Sequence, residues 1–271
     1  MKFGVSNIAL PSFDHALLLH KIAELGFTGL EVAPSRVWLN TSQGLDPKNV
    51  EAYRKIVEGS GLQVIGLHSL FFDHPELGLF KGDQTRKQTL EFLSHLSAVC
   101  RDLGGRTLIY GGGRRRGDVP LKAAKHEAID FMGDLAQLIS DHGTCFCFEP
   151  LGPNDTDFIH TIQDSLEIVL AVNSPTLKIQ VDVKALVANR ELACKPLEAA
   201  GEHLTHVHVN EPGFVTLGST GDIDHAMFGA LLRQIEYNGY VSIEQKLMNE
   251  INPIADIETG LNILRTHYQL G

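Results

Sequence analysis

The chain has 271 residues, enough for one large domain with a full core or for two small ones. Its hydrophobic fraction of 43% and charged fraction of 21% are those of an ordinary soluble globular protein. The formal net charge of −10 argues against a nucleic-acid partner, which would need a compensating basic groove, and the only basic run is Arg114 to Arg116.

In chain order, short β-like runs alternate with amphipathic helical runs. KFGVSN (2–7) reads as a first strand and not as a signal peptide. A helix follows over 14–25, with Ser12 or Asp14 as its cap and Gly26 as its stop. LEVAP (30–34) is strand two, and a helix starts at Pro47, a good first-turn residue, and ends near 59–61. QVIGLHS (63–69) is strand three, followed by a long loop over 71–83 and a helix to Leu103. RTLIYGG (106–112) is strand four, and a helix runs over 121–141. TCFCFEP (144–150) is strand five, with a helix over 161–172 behind it. LKIQVDV (177–183) is strand six, followed by a weaker helical stretch over 186–200. LTHVHVN (204–210), a helix over 225–237, YVSIEQK (240–246) and a helix over 254–268 complete the pattern.

Eight strands and eight helical segments in strict alternation imply parallel strands joined by right-handed crossovers. Eight such units in about 250 residues fit a single (β/α)₈ TIM barrel occupying 1–271 as one domain. An open doubly wound sheet would usually carry a Gly-rich phosphate fingerprint after strand one, and SNIALPSF has none. The four cysteines show no zinc spacing, which reads as reduced thiols of a cytoplasmic protein, and no apolar run reaches the roughly 20 residues of a membrane span. Chemistry in a barrel sits on the loops after the strands. Those are the long ones here, at 35–46, 71–83, 111–119, 151–160 and 211–224.

The last four strands share one design. Each is apolar until a chemically able residue appears at its C-terminal tip: Glu149, Asp182, His208 and Glu244. Strand alternation puts Glu149 on the face of Cys145 and Cys147, His208 on that of His206 and Asn210, and Glu244 on that of Ser242. Neighbouring tips of a barrel converge, so the four form a hard, oxygen-rich set for one divalent cation, Mn²⁺ first, with Mg²⁺, Co²⁺ or Zn²⁺ as alternatives. Each alone would more often cap a helix or meet an arginine; four in register would not. His206, one layer deeper, is expected to be a hydrogen-bonded core residue or a partner of a ligand. Glu31 lacks such company and reads as half of a structural ion pair.

The chain resembles the xylose-isomerase-like barrel superfamily of sugar isomerases and epimerases, which includes ketose 3-epimerases, hydroxypyruvate isomerase and endonuclease IV. The matching pieces are FEP with Glu149, VDV with Asp182, HVHVNE with His208, GSTGDID (218–224), YVSIE with Glu244 and YGGGRRRGDVP (110–120). The resemblance implies that Glu149, Asp182, His208 and Glu244 bind one cation, and that Glu149 and Glu244 double as acid and base on opposite faces of the substrate carbon. A sugar or sugar-like hydroxy-ketone would then be isomerised or epimerised by proton transfer through a metal-bound enediolate. It also implies substrate contacts for His68 and, from the turn after strand four, Arg116; Glu211 is a further candidate for a sugar hydroxyl. Two family positions differ: a histidine three residues after the aspartate is Ala185 here, and an arginine six after the metal histidine is Phe214. Lys184 or Lys246 is expected to take over a polar contact, though Lys246 can equally be solvated. Two other readings stay open: a metal-dependent lyase or dehydratase of a keto-acid such as 3-dehydroshikimate, and a non-catalytic metal-binding barrel. The oligomeric state, a homo-oligomer included, is open. Trp38 is expected to pack on the barrel rim.

Overall fold

The computed structural model describes residues 1–42 and 45–269; Gln43 and Gly44, inside the loop expected at 35–46, and the last two residues lie outside the described set. Eight parallel strands close into one barrel: β1 (Lys2–Ser6), β2 (Gly29–Val32), β3 (Gln63–Leu67), β4 (Thr107–Tyr110), β5 (Cys145–Phe148), β6 (Leu177–Asp182), β7 (Leu204–Val209) and β8 (Tyr240–Ile243). Closure is made by β8 against β1, with Phe3 opposite Val241.

The helices around it are α1 (Ala16–Leu25), α2 (Pro47–Gly59), α3 (Asp83–Asp102), α4 (Leu121–Leu138), α5 (Ile162–Val172), α6 (Val183–Ala188), α7 (Cys194–Ala200), α8 (His225–Gln234) and α9 (Pro253–His267). Their boundaries follow local chemistry. Asp46 accepts from the Lys48 amide with Pro47 in the first turn, and Thr161 and Asp164 form a reciprocal capping box on α5. Gly26 ends α1 in the left-handed region at φ 106°. The cap expected from Ser12 or Asp14 does not form; the residue before α1 is His15, whose side chain makes no capping bond.

The helical stretch read over 186–200 is two short helices. Asp182 accepts from the Ala185 amide, so α6 starts directly on the tip of β6. Arg190 then turns left-handed at φ 59° and stops it.

Strand alternation divides the molecule into two environments. Outward residues such as Val5, Leu67, Phe146, Phe148, Val207 and Ile243 join the helices in one continuous apolar core. Inside the barrel the only apolar cluster among the described residues is Ile109, Cys145 and Cys147. Most other interior groups, Ile65 aside, are buried and polar, including Ser6, Glu31, Gln180, His206 and Ser242. A barrel interior normally fills with branched aliphatics. Here it is a column of hydrogen-bonding groups leading up to the mouth. No helix among the described residues is long and apolar enough to cross a membrane.

Candidate metal centre and active site

At the C-terminal mouth, the tips of β5 to β8 bring Glu149, Asp182, His208 and Glu244 to the floor of a cavity of about 590 Å³. Glu149, Asp182 and His208 are buried, and each offers a ligand atom within 4.8 Å of the others. Glu244 joins through its second oxygen, which lies 3.4 Å from His208 Nδ1. Asn210 binds the set together: its Nδ2 donates to Asp182 Oδ2 and to Glu244 Oε2, the latter at 3.0 Å. Asn210 lies on the inward face two residues after His208, and that position was the signal for it.

A second group, Glu31, His206 and His208, lies directly beneath. Glu31 is fully buried. His208 Nε2 sits 2.9 and 3.0 Å from its two oxygens, and Ser242 Oγ donates to it at 2.8 Å. His206 Nε2 lies 3.1 Å from Glu31 Oε1. The ion pair expected of Glu31 thus exists, but with histidines under the cavity floor. His206 is a partner of Glu31 one layer below, as its position on the strand implies.

Electrostatics in the upper group are only partly compensated. Burial, and then the charges of Asp182 and Glu244, push the Glu149 carboxyl up to about 8. Burial and the charge of Glu244 also push Asp182 up. Burial acts on Glu244 in the same direction, but His208 and His68 outweigh it and hold its carboxyl well below the usual range. Burial disfavours a His208 cation, yet Glu31 and Glu244 keep its pKa well above that of a free imidazole. His208 Nδ1 is buried and makes no hydrogen bond. An orphaned imidazole nitrogen facing three clustered carboxylates is a donor set that fits a hard divalent cation, which would satisfy the nitrogen and cancel the repulsion.

His68 comes to the cavity as expected: Nδ1 is 3.2 Å from Glu244 Oε1, and Nε2 is held at 2.6 Å by Ser6 Oγ. The other three candidate substrate contacts lie elsewhere. Arg116 is not at the cavity wall. Asp157 accepts the Arg116 and Gly117 amides, and the guanidinium donates to the Asp157 and Val119 carbonyls. Arg115 takes the place at the wall, anchored to the Asn154 and Asp155 carbonyls. Glu211 is buried and spends both oxygens on its own loop and on α8, accepting from the Gly218 amide at 2.8 Å, from His225 Nε2 at 2.9 Å and from Thr220 Oγ1. It pins the 211–224 loop. Lys246 is exposed because β8 ends at Ile243, so strand alternation does not carry to 246; its ammonium lies 5.5 Å from the Phe214 ring. Lys184 does line the cavity, with Nζ 3.0 Å from Asp155 Oδ2 and 4.8 Å from the Phe214 ring centre. Trp38 packs edge-to-face on Tyr53 of α2, with ring centroids 5.6 Å apart.

One residue that motif reading leaves in a solvated run is Arg114. It is 1% exposed, and its guanidinium lies 4.9 Å over the Phe148 ring. It donates to the carbonyls of Gly111, Phe158, Ile159 and Glu149. It is the clamp that holds the Glu149 backbone between the β4 and β5 loops. Gly111 makes room for the catalytic candidate itself, since a Cβ there would sit 2.1 Å from Glu149 Oε2.

Known proteins agree with this architecture. In sequence, the chain is 29% identical over 126 residues to L-ribulose 3-epimerase of Methylomonas sp., a match spanning 46% of this chain and 44% of that protein. It is 23% identical over 237 residues to D-psicose 3-epimerase of Ruminiclostridium cellulolyticum, spanning 85% and 78%. In structure, D-psicose 3-epimerase of Clostridium cellulolyticum, solved with D-tagatose, superposes with a TM-score of 0.83 at 19% identity over 100% of both chains. The 3-keto-D-glucoside 4-epimerase of E. coli does so with a TM-score of 0.80 at 22% identity, covering 98% of this chain and 99% of that one. At these identities the structural likeness speaks for the fold. The family model of the xylose isomerase-like TIM barrel matches residues 19–267, and the chain belongs to that family.

Proposed function

We propose that the protein is a divalent-metal-dependent sugar isomerase or epimerase acting on a keto-sugar or a similar hydroxy-ketone. The observation that carries the reading is the convergence of Glu149, Asp182, His208 and Glu244 on one cavity floor, with His208 Nδ1 lacking any hydrogen bond. The sequence relatives, both 3-epimerases of keto-sugars, support it.

Glu149, Asp182, Glu244 and His208 Nδ1 would hold one cation, Mn²⁺ by preference. Bound there, the ion supplies a Lewis acid that polarises a carbonyl and stabilises charge developing on its oxygen. The protein's own groups do the rest. One of Glu149 and Glu244 takes the proton from the carbon beside the carbonyl, and the other returns one from the opposite side. Return to the same carbon inverts it; return to the neighbouring carbon moves the carbonyl. His68, held by Ser6, orients Glu244. Arg115, Lys184 and the ring of Phe214 line the cavity around the substrate. Ala185 and Phe214 offer no side-chain hydrogen bond, so polar recognition falls to other lining groups such as Lys184 and Arg115.

The test starts with metal-stripped protein titrated with Mn²⁺. Wild type takes up one ion, and its melting temperature rises with ion concentration as binding is linked to folding. Asp182→Ala and His208→Ala lose that shift. Incubating the loaded enzyme with a panel of ketoses then gives a product of unchanged mass. A wild type that takes up no ion, or a product lighter by one water, contradicts the proposal; the second result would make the enzyme a dehydratase.

A further inference from the structure

Glu31 has no route to a substrate. His208 lines the cavity, whereas Glu31 and His206 are buried below it. Desolvating a carboxylate costs several kcal/mol, and strand β2 could pair with its neighbours without one. Its surroundings show what it is matched to. Both oxygens face His208 Nε2, at 2.9 and 3.0 Å; one also faces His206 Nε2 at 3.1 Å, and the other accepts from Ser242 Oγ at 2.8 Å. Among the described residues its ion-pair partners are both histidines.

The geometry of an imidazole supplies the rest. Its two nitrogens point in different directions, so fixing one aims the other. With Nε2 tied to Glu31, Nδ1 is turned toward the Glu244 side of the floor, 3.4 Å from Oε2. The ring is further braced edge-to-face by His206, with centroids 5.0 Å apart at 85°, and by His68 at 5.7 Å and 78°.

We infer that Glu31 is a positioning residue for the metal centre: it holds His208 with the proton on Nε2 and the lone pair of Nδ1 presented to the cation. Ser242 and His206 keep the Glu31 carboxylate in that orientation. The inference rests on the metal-dependent reading above. Histidine ligands commonly donate their second N–H to a carboxylate in this way, and loss of such a partner weakens metal binding about 10–100-fold. The Glu31 oxygens stand 2.9 Å from His208 Nε2 and 3.1 Å from His206 Nε2, and all three residues are buried, which favours a hydrogen-bonded support over a second ion in this cluster.

The experiment is a calorimetric titration of metal-stripped protein with Mn²⁺ alone, on wild type, Glu31→Gln and Ser242→Ala, with circular dichroism as the control for folding. Nitrogen-15 NMR of Zn²⁺-loaded wild type reports which nitrogen of His208 keeps its proton. The expected result is one ion in wild type, an affinity about 10–100-fold lower in Glu31→Gln at unchanged circular dichroism, a smaller loss in Ser242→Ala, and a proton on His208 Nε2. Should Glu31→Gln fail to fold, the Ser242→Ala affinity and the wild-type NMR spectrum still decide. Equal affinities in wild type and Glu31→Gln, or a proton on Nδ1 of the loaded protein, overturn the inference and leave the metal-dependent reading intact. Two ions in wild type, one of them lost in Glu31→Gln, make Glu31 a ligand and overturn it as well. A wild type that binds no ion removes the functional reading itself.

Discussion

Glutamine at position 149 or at position 244 is expected to lower turnover of a keto-sugar substrate by about 10²–10⁴-fold, the usual contribution of a positioned acid or base. Glutamine keeps the side chain's size and one oxygen, so with Mn²⁺ raised until both variants are loaded the loss that remains is that of proton transfer. The two variants should also differ from each other in heavy water. If the carboxylates work on opposite sides of one carbon, each variant still removes the proton from one epimer and fails with the other. Washout of the substrate proton would then persist for one epimer without conversion, and the other variant would show the reverse preference. Loss of washout from both epimers in one variant, with full exchange in the other, would argue for a single base. Turnover unchanged in both variants would remove these residues from the chemistry.

The second large effect concerns stability. Arg114→Met removes a buried guanidinium and takes its donor from the carbonyls of Gly111 and Glu149, while those of Phe158 and Ile159 keep Thr156 Oγ1 and the Leu151 amide. Burial pulls this guanidinium down to about 10, still high enough to stay charged at neutral pH. Each unpaired buried acceptor costs about 1–3 kcal/mol, so losing the donor of two of them costs about 2–6 kcal/mol. We therefore expect Arg114→Met to lose about 2–6 kcal/mol in urea denaturation. Metal uptake should weaken with it, because the Glu149 backbone loses its clamp. Arg116→Met, whose guanidinium bonds to the carbonyls of Asp157, Val119 and Gly117 near the surface, is the control and should change stability far less. Similar losses in both variants would contradict the clamp.

The contrast between Arg114 and Arg116 shows where sequence reading reached its limit. Strand tips are legible because alternation with period two fixes which face a side chain takes. Thus Glu149, Asp182, His208 and Glu244 could be assigned together, and the closed barrel followed from the alternation of strands and helices. Loops have no such period. Nothing in a run of three arginines tells which one turns inward; here the choice is made by carbonyls from two different loops, Gly111 after β4 and Phe158 after β5. Glu211 failed for a related reason, since its partners His225 and Thr220 come from 14 and 9 residues further along the chain. Lys246 failed because β8 stops before it. Glu31 was seen as paired, but its partners lie 175 or more residues away in sequence, and only barrel closure brings them to it.

The division between an apolar ring outside the strands and a polar column inside them has a consequence for how the protein tolerates change. Consecutive residues of a strand answer to different demands. In β5, altering Phe146 or Phe148 removes packing against the helices and is felt as lost folding, whereas altering Cys147 or Glu149 disturbs the column or its upper end. The same parity runs through β7, where Val207 and Val209 belong to the ring and His206 and His208 to the column. Mutational sensitivity along these strands should therefore alternate in kind more than in strength. A new specificity can be sought among the residues of the mouth while the ring that carries the fold is left untouched.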